Sequence, residues 1–494
     1  MRVLFVSSEV YPFAKTGGLA DVSAALPRML SERGMDVRVL MPAYPQALAN
    51  AAPIKEVARL GTVLGFGGTR LLETFLPQSH VPLWLVDCPD LYNRSGGPYH
   101  DDEGAEWPDN DLRFALLNHV AAGIANEPGG RWKPDIVHAN DWHAGLLPLL
   151  VRKTPDRPAV LLTIHNLAYQ GLFGIDSFER LELPPECLDQ MEFWGRISYL
   201  KAGIAAADAI TTVSPRYAKE ILTAEYGCGL DGLLEQRAAN ISGILNGADY
   251  GLWDPAVDPH ICRNYSVRSL VLKKQCKRAI QGELALSPES DAPLLAFMSR
   301  LVHQKMPDVL LEALPSLLRS GMQFVLVAEG DSAYQDRFSQ LAADFPGQTA
   351  VRAGYDEQRG HRVMAGADVL LHPSRFEPCG LVPIYALRYG TIPVVRNTGG
   401  MADTVVDATP DALRSGIATG FSFAGVSSDD LAACVNRAAD LYRQPIRWRK
   451  LQQSAMRQEF GWREPAERYV ALYRSLRLDL HPDVEPSSAS VARA

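Results

Sequence analysis

"RVLFVSSEVYPFAKTGGLADVSAALPRMLSERG", residues 2–34, reads as a strand, a loop and a helix in succession. "RVLFVSS" is a buried strand, and "GGLADVSAALPRMLSERG" is a helix ending at Gly34. Units of this kind repeat along the chain. "DVRVLMP", "VPLWLVDCP", "DIVHAND", "AVLLTIHN" and "AITTVSP" are further short strands, each ending at a polar or turn residue and alternating with helical stretches. The alternation predicts β-α-β units and a parallel sheet covered by helices on both faces.

The pattern then restarts. "ISGILNGADYGLWDPAVDP" is rich in Gly, Asp and Pro and reads as a linker. "APLLAFMSRLVHQK", "FVLVAEGD", "TAVRAGYD", "DVLLHPSRFEPCG" and "TIPVVRNTGG" form a second series with no repeat of the first. The fold class is therefore α/β, as two domains of parallel-sheet architecture with a boundary near residues 250–260. The stretch "EPAERYVALYRSLRL" is a last helix. The tail 479–494 has no apolar face and reads as disordered.

Composition narrows the function. The 494 residues are 47% hydrophobic and 21% charged, the profile of a globular protein with ample core. A net charge of -8 argues against nucleic acid or an anionic membrane as partner. Seven scattered cysteines without a C-x-x-C pair read as reduced thiols in a cytoplasmic protein. "MRVLFVSSEVYP" lacks the features of a secretory leader, and no apolar run is long enough to span a bilayer.

In open parallel sheets ligands bind beyond the carboxyl ends of the strands, so the residues there carry the search for chemistry. Lys15, Gly17 and Gly18 fall in the loop after the first strand. Glycines admit close backbone approach, the helix start offers N–H groups, and the lysine adds charge. The motif suits a phosphate or sugar diphosphate, and taken alone it equally suits a tight turn with an exposed lysine. Arg300 and Lys305 in "SRLVHQK" follow a strand, where two cations suit a departing diphosphate or are simply solvated. Glu377 precedes Gly380 and a helix in "SRFEPCGLVPIYALRYG", where it suits sugar hydroxyls or a cationic transition state. His165 and Asn166 end one strand in "TIHNLAYQG", and Asp141 and His143 end another in "HANDWHAG". A lone histidine is more often structural than catalytic. No metal-binding spacing, nucleophile elbow or Walker loop is present.

Taken together, these stretches resemble the bacterial glycogen synthases and plant starch synthases, retaining glucosyltransferases that use a nucleotide-sugar donor. The resemblance runs from residue 2 to about 475 through "KTGGLADV", "DIVHANDWHAGLLP", "TIHNLAYQG", "GILNGAD", "SRLVHQK", "SRFEPCGL", "RYGTIPVVRNTGGMADTV" and "TGFSF". It implies the GT-B architecture, two Rossmann-like domains, one over 1–250 and one over 251–457, facing each other across a deep cleft. It also implies a last helix, 458–478, that rejoins the first domain. The implied activity is transfer of glucose from ADP-glucose to the non-reducing 4-hydroxyl of an α-1,4-glucan, with no cofactor and no metal. Residue by residue it implies Glu377, His165, Arg300 and Lys305 as catalytic. Lys15, Gly17, Gly18, Asn246, Tyr355, Cys379, Gly380, Leu381 and Val382 become donor-binding residues. Asp141 and Asn166 fall on the acceptor side. Two alternatives stand beside this one: a related transferase with UDP-glucose or a small sugar-phosphate acceptor, and a non-catalytic glucan-binding scaffold.

The sequence departs from the family pattern in three places. "KMPD" carries Met306 and Pro307 where the pattern has Lys-Gly before an apolar residue, which implies local stiffening. "VAEGD" brings Ala328 and Glu329 near the nucleotide and bears on donor affinity or base preference. "VPIYA" brings Val382 and Pro383 to the helix after Gly380, and Pro383 has no N–H to give a phosphate.

Overall fold

The computed structural model describes residues 1–127, 132–151, 154–288, 292–354 and 356–480. The backbone divides into two units. The first comprises Met1–Val213, Ala218–Leu245 and the stretch from Trp462 onward; the second comprises Ser214–Tyr217 and Asn246–Gly461. Among the described residues no helix is long and apolar enough to cross a membrane.

The first unit is built on a nine-stranded sheet. Its strands are β1 (Arg2–Val6), β2 (Asp36–Pro42), β3 (Lys55–Val63), β4 (Phe66–Phe75), β5 (Pro82–Asp87), β6 (Ile136–Asn140), β7 (Ala159–Ile164), β11 (Ala209–Thr212) and β12 (Ile241–Gly243). The order is β12-β11-β7-β6-β1-β2-β5-β4-β3. From β12 to β5 every pairing is parallel; β4 and β3 add an antiparallel hairpin at one edge. Val3, Leu4, Phe5 and Val6 of β1 are fully buried. Each such side chain contributes about 1.5–3 kcal/mol of burial, which is why so short an apolar run holds the middle of a sheet. A separate three-stranded antiparallel sheet joins β8 (Leu172–Gly174), β9 (Glu192–Phe193) and β10 (Arg196–Ser198) in the order β8-β10-β9.

Chain order reverses between β1 and β6, with β2 on the other side of β1. The register pairs Val6 with Ala139 and Asn140 with Thr163. The loops that carry Lys15, Asp141 and His165 therefore leave the sheet at the same end of three adjacent strands. The last helix, Arg463–Leu480, packs on this unit: Tyr473 and His138 Nδ1 share a hydrogen bond of 2.7 Å, and Arg33 donates to the Arg463 carbonyl at 2.9 Å. Residues 479 and 480, expected in the tail, form its final turn; 481–494 lie outside the described residues.

The second unit holds six parallel strands, β13 (Leu294–Met298), β14 (Gln323–Ala328), β15 (Thr349–Ala353), β16 (Val369–His372), β17 (Ile392–Arg396) and β18 (Phe421–Phe423), in the order β15-β14-β13-β16-β17-β18. Here order reverses between β13 and β16, so the turns holding Lys305 and Glu377 follow adjacent central strands. Met306 sits in the left-handed region at φ 54, fully buried, directly before Pro307, the first residue of the helix Pro307–Arg319. The helical conformation is disfavoured before a proline. The expected stiffening at this point thus takes the form of a left-handed residue anchored by its side chain in the core.

The Gly- and Asp-rich stretch expected to be a linker is largely not one. Trp253 is stacked between His361 (ring centroids 3.8 Å) and Tyr385 (4.4 Å). Asp254 pairs with Arg388 at 2.5 Å, and Asp258 accepts from Tyr389 at 2.5 Å and pairs with His361 at 2.8 Å. The division between units falls at Asn246 rather than 250, and the chain re-enters the first unit at Trp462 rather than 458. The outgoing and returning segments are tied by the Ala248 amide donating to the Phe460 carbonyl at 2.7 Å.

Candidate active site

In the second unit, β16 ends on His372, and within five residues the chain places Ser374 and Glu377. All three are buried. His372 Nε2 lies 2.9 Å and Ser374 Oγ 2.8 Å from the same oxygen of Glu377, Oε2. Lys305 Nζ, from the 3-10 turn His303–Lys305 after β13, also pairs with Oε2. Oε1 receives no hydrogen bond from any described residue. Burial pushes the Glu377 pKa up, but the Lys305 charge and the His372 and Lys305 hydrogen bonds outweigh it and hold the group well below the usual carboxylate range. Glu377 is therefore a fixed carboxylate with one oxygen open. Gln304 holds the two turns together: its side-chain amide donates to the Phe376 carbonyl at 3.0 Å and its carbonyl accepts from the Arg375 amide at 2.8 Å.

Gly380, at φ 83, starts the helix Leu381–Tyr389. The first helical amides have no partner within the helix, so the half-buried Leu381 and Val382 present theirs beside Glu377. Pro383 occupies the third helical position, where no intrahelical bond is lost. A second helix, Gly399–Thr404, begins against the same turn, and the Gly400 amide donates to the Glu377 carbonyl at 3.0 Å. The approach is so close that a Cβ on Gly399 would fall on the Glu377 carbonyl and one on Gly400 on the Cys379 carbonyl. Asn246 meets Cys379 through both its amide and its side chain, while its own buried Oδ1 has no partner among the described residues. Burial raises the Cys379 thiol to about 12, so it stays neutral. Arg300 is half-buried in the bend directly after β13.

In the first unit, Asp141 follows β6 at φ 57, a strained conformation for a residue other than glycine. Its Oδ1 accepts from the amides of His165 (2.7 Å) and Asn166 (3.3 Å), pinning the turn after β7. Burial raises its pKa to about 7, against the pull of those two amides. The Asn140 side-chain amide donates to the Val6 carbonyl at 3.0 Å, which turns its oxygen toward His165 Nε2, 3.0 Å away. His165 must then carry its proton on Nε2 and leave Nδ1 as acceptor. Burial lowers its pKa to about 3, so the ring is neutral. Lys15 pairs with Asp21 at 2.8 Å and lies over the Tyr11 ring. The Gly17 amide, in the loop expected to face an anion, instead donates together with the Thr16 amide to Glu9 Oε2, a buried carboxylate of the same loop. Glu9 Oε1 accepts from Tyr99.

These arrangements have close counterparts. Residues 2–236 match the family model described as starch synthase catalytic domain, and residues 285–454 match glycosyl transferases group 1. A glycogen synthase of Paramagnetospirillum magneticum is 49% identical over 482 residues, 96% of this chain and 98% of that protein. The chain belongs to the glycogen synthase family. A glycogen synthase of Burkholderia thailandensis is 48% identical, covering 99% of this chain and 94% of its own length. Among solved structures, the catalytic domain of starch synthase IV from Arabidopsis thaliana, bound to ADP and acarbose, superposes with a TM-score of 0.88 at 29% identity over 96% of this chain and 99% of that one. Sucrose-phosphate synthase from Thermosynechococcus elongatus, with a TM-score of 0.59 at 17% identity, shares the fold. This glycogen synthase family member is a glycosyltransferase with two Rossmann-like GT-B units.

The residues singled out from sequence fall into two groups. Lys305, Glu377, Cys379, Gly380, Leu381, Val382 and Asn246 come together in the second unit. His165, Asn166 and Asp141 come together in the first, one strand away from the loop of Lys15, Gly17 and Gly18. Tyr355 lies outside the described residues. Sequence reasoning missed Glu9, Asn140, Gln304, His372, Ser374, Gly399 and Gly400 as members of these clusters. Gln304, Ser374 and the two glycines stood inside motifs already quoted, beside the residues that drew attention. Among the described residues no group of three or more His, Cys, Asp and Glu side chains is placed to hold a metal ion.

Proposed function

We propose that the protein transfers the glucosyl group of ADP-glucose to the non-reducing 4-hydroxyl of an α-1,4-glucan with retention of configuration. The observation that carries this reading is Glu377. It is a buried, ionised carboxylate with one oxygen fixed and one open, set beside a lysine and the free amides of a helix start. Such a site offers negative charge to a sugar gaining oxocarbenium character and positive charge to a diphosphate leaving it. Arg300, Lys305 and the Leu381 and Val382 amides take the diphosphate, and Lys15 is a further cation for it. The Glu377 Oε1 accepts from sugar hydroxyls. His165, neutral and with its Nε2 proton committed to Asn140, orients the sugar and is no general base at neutral pH. The departing phosphate takes the acceptor's proton, so the attack comes from the face the phosphate leaves and the new bond stays α.

ADP and acarbose in the Arabidopsis relative support this donor and a glucan acceptor. Seven free cysteines agree with a cytoplasmic setting. Glu329 keeps UDP-glucose as a second donor reading. Its carbonyl accepts from the Leu301 amide at 2.7 Å, which puts an exposed carboxylate beside the segment of Arg300. A donor panel with labelled glucose and a glycogen primer separates the two. Incorporation from UDP-glucose alone would exclude the ADP reading. Glucan binding with incorporation from neither donor would mark a scaffold.

A further inference from the structure

The cluster around Glu377 contains more donors than one carboxylate oxygen needs. Lys305, His372 and Ser374 all converge on Oε2, while Oε1 takes none of them. The three differ in origin. Lys305 comes from a separate turn on a flexible four-carbon stem. His372 and Ser374 belong to the same short segment as Glu377, and His372 is the last residue of a fully buried central strand. Lys305 can therefore leave Oε2 while the other two cannot.

His372 has a second feature. Its Nδ1 is buried and has no hydrogen-bond partner among the described residues. Buried ring nitrogens are ordinarily satisfied. A histidine kept for packing alone would not leave one orphaned, where an apolar side chain of similar size carries no such cost. What His372 does supply is one N–H, aimed at Glu377.

We propose that His372 is a positioning residue for the transfer reaction, holding the Glu377 carboxylate in register while Lys305 is drawn to the donor's diphosphate. This rests on the glucosyl-transfer reading for its consequence, though not for the contact itself. With Ser374 it fixes Oε2, so that Oε1 stays turned toward the sugar throughout the reaction. It touches neither donor nor acceptor.

The test compares three variants in the full chain. His372→Leu removes the donor. His372→Gln returns an amide N–H near the position of Nε2. His372→Asn is polar but too short to reach it. Displacing a reacting carboxylate by about an ångström costs on the order of 10²-fold. We therefore expect kcat to fall about 10- to 100-fold in His372→Leu, with KM for ADP-glucose nearly unchanged. The Gln variant should recover most of the loss and the Asn variant little. A folded Leu variant with wild-type kcat would overturn the proposal. So would equal kcat in the Gln and Asn variants, which stays measurable if the Leu variant fails to fold. A second readout needs no substrate. Besides Ser374, the groups that hold Glu377 ionised are Lys305 and His372, so losing His372 should shift the acid limb of the unfolding curve to higher pH, and His372→Gln should shift it back. An unmoved limb would overturn the contact even if the transfer assay had failed for every donor.

Discussion

Lys305→Ala separates stability from catalysis at the centre of the site. The Lys305 and Glu377 side chains are only 12% and 9% exposed, so their ion pair is shielded from water. Removing one partner of a buried pair costs about 3–5 kcal/mol, chiefly because the other charge is left uncompensated. Glu377 would keep His372 and Ser374 as donors, which places the expected loss near the lower bound, about 3 kcal/mol. The catalytic loss has another origin. A preorganised cation facing the departing diphosphate is removed, and the expected fall in turnover is about 10²–10³-fold. The double variant Lys305→Ala/Glu377→Gln distinguishes the two effects. It leaves no lone buried charge, so stability should return to within about 1 kcal/mol of wild type, while turnover stays low. Urea unfolding reads the first quantity and ADP release with a glycogen primer reads the second. Lys305→Arg, which keeps the charge, should lie between wild type and Lys305→Ala in turnover. Wild-type turnover in both single variants would refute the diphosphate role. Equal stability of the single and double variants would refute the ion-pair argument.

The glycines give a paired test. No described residue comes within 4 Å of a Cβ placed on Gly17, whose backbone is extended, so Gly17→Ala should unfold within about 0.5 kcal/mol of wild type yet raise KM for the donor. Gly400→Ala, whose Cβ would strike the Cys379 carbonyl, should lose about 3 kcal/mol or more and be inactive; the reverse ranking in urea midpoints would contradict both. Asp141 supplies a pH test. Its folded pKa of about 7 lies above the ordinary 3.8, so the native state retains a proton that the unfolded chain has released, and stability should fall as pH rises through that window. Asp141→Asn keeps an acceptor for the His165 and Asn166 amides but does not titrate, so its urea midpoint should decline less between pH 5 and pH 8; an unchanged decline would count against the shift.

Much of this was legible in the sequence because buried parallel strands are short, continuous apolar runs ended by polar residues. β1, β6, β7, β13 and β16 could all be read that way, and with them the ends that carry Asp141, His165, Lys305 and Glu377. The hairpin of β3 and β4 was missed because its exposed edge mixes charges into the strand pattern. The segment after Asn246 was read as a linker from its Gly, Asp and Pro content, although Trp253 and Asp258 are what bind it to the second unit. Contacts between residues distant in sequence leave no periodic trace. Glu9 closing on the loop amides and Asn140 orienting His165 could not be read from spacing. His372 was hidden for another reason: it looked like the polar end of a strand, and only the direction of its ring shows that it meets Glu377.

The central claim is front-face transfer of glucose from ADP-glucose at a carboxylate held beside a cationic diphosphate site. Proton NMR of the protein with ADP-glucose and a malto-oligosaccharide follows every product in one tube. The account predicts a growing α-1,4 anomeric signal matched one-to-one by ADP. A β-linked product, free glucose in place of the linkage, or an unchanged donor spectrum would contradict it.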